Sequence, residues 1–236
     1  MNHPPYGGLS HQRIKTKSAN ITWSKGAIPS GLRAARNGHM GAVVWLTGLS
    51  GSGKSTIARE LERELFNRCV QAYVLDGDIV RQGLSANLGF SREDRAENIR
   101  RVAEVARLMA DAGLVVISAF ISPYLADRQR AREIALEGHL DFFEIFIDAS
   151  LAACEQRDPK DLYKKARAGE IKEFTGINTP YEIPDAPELI LHTDRQTPGE
   201  SVALLLDFLK LRLGVAPEVW AAPQLPHPAC CDRTHP

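Results

Sequence analysis

No apolar run in these 236 residues approaches the ~18 needed to cross a bilayer, so nothing predicts a membrane span. Net charge is missing as well. The 29 Lys and Arg balance 29 Asp and Glu, which excludes a whole-protein field that would draw nucleic acid or an anionic membrane surface. Cysteine is scarce: Cys69, Cys154, Cys230 and Cys231 lack the regular spacing of a disulfide framework or a zinc site, and a reducing, cytoplasmic setting is the expectation. Acidic residues are absent from residues 1–37, which carry Arg13, Lys15, Lys17, Lys25, Arg33 and Arg36 among prolines and glycines, without the apolar centre of a signal peptide. That stretch reads as a basic arm, either solvated and partly disordered or packed over a neighbouring subunit or the mouth of a site.

What is present is organised around residues 43–56, VVWLTGLSGSGKST. A short β-prone run ends in Gly48-Leu49-Ser50-Gly51-Ser52-Gly53-Lys54-Ser55, which fits G-x-x-x-x-G-K-[ST], the phosphate-binding P-loop. The motif requires a strand before it and a helix after it. Both are predicted, because residues 55–66 place Ile57, Leu61 and Leu65 at helical spacing. Glycines let successive backbone N–H groups turn inward as an anion nest, and the following helix points its positive dipole end at the same phosphates. Lys54 should reach the β- and γ-phosphates, and the Ser55 hydroxyl is placed to ligate Mg²⁺.

Downstream, strands are predicted at residues 71–75, 114–120, 142–147 and 188–192, and helices over 91–113, 126–136, 151–156 and 201–213. Alternating strands and helices imply right-handed parallel β-α-β units. The fold class is therefore α/β: a P-loop NTPase-like three-layer sandwich with a five-stranded parallel sheet. The second strand ends in Asp76-Gly77-Asp78, which reads either as an Asp-Gly turn or as carboxylates delivered beside the P-loop for metal binding or general-base work. Residues 157–172 turn basic, with Arg157, Lys160, Lys164, Lys165, Arg167 and Lys172, and read either as a mobile lid or as a solvated helix face. The expected organisation is a basic arm (1–37), a P-loop domain (38–213) and a disordered Pro-rich tail (214–236).

These features define a small P-loop phosphotransferase or NTPase with an undecided acceptor. Five stretches narrow it: WLTGLSGSGKSTIA (45–58), LDGDIVRQGL (75–84), LGFSREDRAENIRR (88–101), FISP (120–123) and RDPKDLYKKARAGEIKEFTGI (157–177) together resemble the adenylylsulfate (APS) kinases, over roughly residues 23–213. The resemblance implies transfer of the ATP γ-phosphoryl group to the ribose 3′-hydroxyl of adenylylsulfate, giving PAPS and ADP. Gly48 to Thr56 and Arg157 would bind nucleotide, with Thr56 on the first helical turn and Arg157 packed on the ATP adenine. Asp78 would be the general base, and Asp76 would organise Mg²⁺ through water. Phe90 and Phe174 match an aromatic pair that sandwiches the substrate adenine, where stacking is worth ~1–3 kcal/mol per base. Arg81, Arg95 and Asn98 match residues that hold the phosphosulfate and ribose, Ile121 and Ser122 line the same pocket, and Lys160 matches the lid.

Ser122 has no His or Lys beside it in sequence to act as its base, so direct in-line transfer is the expectation, with Ser122 in a pocket role. Three positions depart from the family pattern: Ile79 and Gln82 within DGDIVRQGL, and Asp161 where Gly is usual. The competing readings are another small-molecule P-loop kinase and a nucleotide-binding module without turnover. Small-molecule substrates, a homodimer, and no nucleic-acid or membrane partner complete the expectation.

Overall fold

A computed structural model describes residues 27–215 and Trp220. Five strands, β1 (Ala42–Thr47), β2 (Ala72–Asp76), β3 (Val115–Ala119), β4 (Asp141–Asp148) and β5 (Leu189–His192), form one all-parallel sheet in the order β2-β3-β1-β4-β5. The helices are α1 (Ser30–Asn37), α2 (Lys54–Asn67), α3 (Gly77–Gln82), α4 (Arg92–Asp111), α5 (Leu125–Glu137), α6 (Leu151–Arg157), α7 (Leu162–Arg167) and α8 (Pro198–Lys210). The fold class expected from the sequence is the one observed.

Every residue of β1 and β3 is buried, because helices cover both faces of the sheet. One face packs Val44, Leu46, Ile117, Ile145 and Ile147 against Ile57, Leu61 and Leu65 of α2 and Leu205 and Leu209 of α8. The other packs Val43, Trp45, Val116 and Phe142 against Ile99, Val102 and Ala106 of α4 and Ala131 and Ile134 of α5. Alternation along each strand therefore sorts side chains into two cores, and the strand ends carry the site.

Several elements differ from the sequence expectation. Residues 30–37 of the expected arm form α1, which buries none of its own residues but is fastened by Asn37, whose Nδ2 donates to Gly113 O at 3.2 Å. Residues 1–26 lie outside the described part. The Asp-Gly-Asp turn opens a helix, α3, because the Asp76 carboxylate caps it by accepting from the Asp78 backbone N–H at 3.0 Å. Helix α8 starts at Pro198, three residues before the expected Ser201, on a capping box made by Thr197 and Glu200. Val215 is buried in the core and Trp220 packs against it, while most of the expected tail lies outside the described residues.

Of the described cysteines, Cys154 is free and buried. Among the described residues no helix is long and apolar enough to cross a membrane.

Candidate active site

The chain leaves β1 at Thr47 and turns through residues 48–53 into α2. At Gly48 (φ +152°) a Cβ would lie 2.5 Å from the Ile147 carbonyl, and at Gly51 (φ +73°) 2.9 Å from that of Cys154. Glycine is therefore required twice, by backbone sign and by the closeness of β4 and α6. Lys54 begins α2, and its Nζ donates to Gly48 O at 2.9 Å and Leu49 O at 2.6 Å. Ser52 and Gly53 complete the loop, tied down where Thr193 Oγ1 donates to Ser52 O at 2.6 Å. Thr56 is exposed on the first turn of α2.

Burial pushes the Lys54 ammonium down to about 8. Desolvation disfavours the charged form, so the free site loses its cation as pH rises through that value. ADP affinity measured by calorimetry is expected to fall about tenfold between pH 7 and pH 9, and Lys54→Met to bind weakly at both. A flat profile in the native chain would show that Lys54 keeps its charge.

At the end of β2 the carboxylates meet this loop. Ser55 Oγ donates to Asp76 Oδ2 at 2.6 Å, and Asp76 Oδ1 accepts from Asp78 N at 3.0 Å. Two hard oxygen donors, Ser55 and Asp76, thus stand together at the mouth of the P-loop, the donor chemistry a magnesium ion prefers. The Asp78 side chain is 66% exposed and paired with Lys160, itself 56% exposed, so the basic segment touches the second carboxylate directly.

Further along, the acceptor candidates gather around the 88–90 turn. The Arg81 guanidinium donates to Leu88 O at 3.2 Å and Gly89 O at 2.9 Å and lies 4.3 Å from the Phe90 ring centroid. Arg95 donates from Nε to Phe90 O at 2.7 Å, from Nη1 to Thr175 Oγ1 at 3.0 Å, and from Nη2 to Glu173 O. It therefore straps the Phe90 turn to the segment carrying Phe174. Both arginines, expected to hold substrate anions, are engaged with the protein's own backbone and present Phe90, which is 62% exposed. Phe174 is buried against Tyr163. Asn98 is buried with Oδ1 unpartnered, a polar atom with a bond still to make.

Ile121 and Ser122 sit below, at the end of β3. Ile121 O accepts from Thr47 Oγ1 at 2.8 Å. Ser122, with a left-handed φ of 40°, is buried; its Oγ accepts from Trp45 Nε1 at 3.1 Å and donates to Thr47 Oγ1 at 3.0 Å. A hydroxyl so engaged supports the pocket. Ser122→Ala is expected to keep most turnover and to lose about 1–3 kcal/mol of stability by orphaning the Trp45 N–H. Abolished turnover with an unchanged melting profile would instead make the hydroxyl a participant.

The basic segment is anchored more firmly than a loosely held lid. Tyr163 and Ala166 of α7 are buried with Cys154 and Phe174 in a small core of their own, leaving Lys164, Lys165 and Arg167 outward. Arg157 donates to Gly51 O at 3.3 Å and Thr193 O at 2.6 Å, beside the P-loop. Sequence reasoning missed Thr47, Arg128, Tyr163 and Tyr181, each of which touches the site scaffold across more than 70 residues except Arg128, which reaches Ser122 O only six residues away. Only the position of Thr47, one residue before the P-loop, could have flagged any of them.

A parallel sheet with a P-loop after its central strand, β1, and an acid pair at the end of the edge strand, β2, whose first carboxylate accepts from the P-loop serine, defines a nucleotide-dependent phosphotransferase of the P-loop class. Comparison with known proteins makes the family specific. The family model "Adenylylsulphate kinase" matches residues 40–192. An adenylyl-sulfate kinase of Staphylococcus carnosus is 55% identical over 194 residues, 82% of this chain and 96% of its own, and one of Shewanella amazonensis 55% over 190 residues, 80% and 95%. The solved APS kinase of Mycobacterium tuberculosis in complex with AMPPNP and APS superposes with a TM-score of 0.71 at 51% identity, covering 72% of this chain and 98% of that one. The chain belongs to the adenylylsulphate kinase family.

Proposed function

We propose that this chain transfers the γ-phosphoryl group of ATP to the 3′-hydroxyl of adenylylsulfate, giving PAPS and ADP. The observation that carries the reading is the hydrogen-bonded run from Ser55 through Asp76 to the backbone of Asp78, which sets a second carboxylate beside the phosphate loop. Backbone N–H groups of the P-loop, that of Gly51 among them, cradle the ATP phosphates between Gly48 and Ser55, and Lys54 moves from its loop carbonyls to the β- and γ-oxygens. Asp78 takes the proton of the attacking 3′-hydroxyl, which requires it to release Lys160; that exposed pair is worth only about 0–1 kcal/mol. Lys160, once released, is free to stand over the anionic substrates. Phe90 and Phe174 take the acceptor's adenine, Asn98 Oδ1 accepts from a ribose hydroxyl, and Arg81 and Arg95 hold the frame and add positive charge. Ile121 lines the pocket floor, and Arg157 stands where the nucleotide base would lie.

Ser55 and Asp76 would hold Mg²⁺, whose charge would offset that of the β- and γ-phosphates when bound. A homodimer is the assembly we infer from the family resemblance of the sequence, and the cytoplasm is the setting we infer from its few, irregularly spaced cysteines. Among solved relatives, the APS kinase of Thiobacillus denitrificans, 31% identical with a TM-score of 0.59 and about a third covered by this chain, is described as hexameric.

The test is a coupled ADP-release assay with adenylylsulfate beside a panel of sugars, sugar acids and nucleosides. ADP release with adenylylsulfate alone is the expected result; activity on another acceptor with none on adenylylsulfate, or nucleotide binding with no turnover, overturns it.

A further inference from the structure

Tyr163 of α7 has no part in the phosphoryl-transfer scheme, yet it touches both halves of the proposed site. It is buried to 2% exposure. Its hydroxyl donates to the Ser50 carbonyl of the P-loop at 2.9 Å, and its ring meets Phe174 edge-on, with centroids 4.9 Å apart and planes at 80°. Ala149, Cys154, Ala166 and Leu49 fill the space around that ring, so the hydroxyl is aimed at the loop by packing.

The Cys154 thiol also lies against that hydroxyl, and the direction of the bond to Ser50 matters because a peptide unit is planar, with its C=O and the next N–H pointing opposite ways. Gly48 O and Leu49 O face inward to Lys54 Nζ, whereas Ser50 O faces outward to Tyr163. The N–H of Gly51 is therefore turned away from Tyr163, to the side where an anion nest needs it. Gly51 sits at φ +73° and, lacking a Cβ, offers little resistance to a flip of the 50–51 peptide. A flipped peptide would aim an oxygen at the nucleotide phosphates.

We propose that Tyr163 is a positioning residue: it holds the Ser50–Gly51 peptide with its N–H toward the nucleotide phosphates and, through its ring, supports Phe174 on the acceptor side. The inference rests on the phosphoryl-transfer reading above, since it assigns the support of both substrate halves to one side chain in the basic segment.

Tyr163→Phe keeps the ring and removes only the hydroxyl; Tyr163→Leu removes the ring edge as well. ADP affinity by calorimetry and KM for ATP are expected to weaken about five- to tenfold in Tyr163→Phe, the loss of the neutral hydrogen bond to Ser50 O, with KM for adenylylsulfate within twofold of native. Tyr163→Leu is expected to raise KM for adenylylsulfate as well, by about tenfold, and phenylalanine at the position rescues that second effect alone. Unchanged ADP affinity in Tyr163→Phe overturns the proposal, and so does an equal rise in both KM values, which a merely structural role would produce. Binding of ADP is read without any acceptor. A native chain that binds ADP but does not turn over adenylylsulfate would sink the functional reading while leaving the hydroxyl's role measured.

Discussion

Replacing Asp78 by asparagine is expected to lower kcat by about two to four orders of magnitude, the range that general-base catalysis contributes, while ADP affinity stays within threefold. The substitution is nearly isosteric. What holds Asp78 in place is its backbone N–H, accepted by Asp76, and the asparagine retains that bond. The carboxylate itself is two-thirds exposed and among the described residues pairs only with Lys160, so its loss leaves the core, the P-loop and the cap of α3 intact. A fall in kcat with unchanged nucleotide binding therefore separates proton removal from folding and from donor binding. Near-native turnover would remove Asp78 from the role of base and leave Asp76 as the remaining carboxylate at the site.

Arg128→Met should be the most damaging single change to stability, about 3–5 kcal/mol. Arg128 is 1% exposed and spends its guanidinium on three partners: Glu144 Oε1 at 2.6 Å, Ser122 O at 2.7 Å and Glu182 O at 2.7 Å. Removing the cation leaves the largely buried Glu144 carboxylate with only the longer 3.5 Å pairing to Arg132, takes the near donor from the Ser122 carbonyl and orphans that of Glu182, a loss that a methionine of similar volume cannot offset. In a domain of this size the melting temperature should drop by roughly 6–20 °C. Glu144→Leu added to Arg128→Met should recover part of the loss, because the poorly compensated buried charge goes with it, while Arg132 keeps Glu188. A drop under about 2 °C for Arg128→Met would show that the ion pair contributes little, and the strained turn at Ser122 would need another support.

Legibility in the sequence followed the distance over which each feature is decided. The P-loop, the apolar strands and the Ser91 cap of α4 were readable because their residues are contiguous, and Ser91 does accept from Asp94 N at 3.1 Å. Helix α1 was not readable as structure, since none of its eight residues is buried and it is held to the domain by Asn37, with Arg33 beside it at Gly113. Helix α8 announced its true start through Thr197-Pro198-Gly199-Glu200, a capping signal that the hydrophobic periodicity, beginning at Ser201, obscured. In the basic segment, composition pointed to the exposed lysines and away from the two buried residues, Tyr163 and Ala166, that anchor it.

Sequence by itself determined the α/β fold class, the nucleotide loop with Lys54 and Ser55, and the placing of Asp76 and Asp78 at a strand end, because each depends on neighbours within a few residues and on the period of the apolar pattern. Only the tertiary structure decided which groups are already spoken for: Arg95 on Thr175 and the Glu173 carbonyl, Ser122 between Trp45 and Thr47, Asp78 on Lys160, and Ser50 O on Tyr163. Those pairings join residues up to 113 positions apart. No local pattern encodes them, since a hydrogen bond between distant segments is set by how the strands order in the sheet and how the helices pack over their ends.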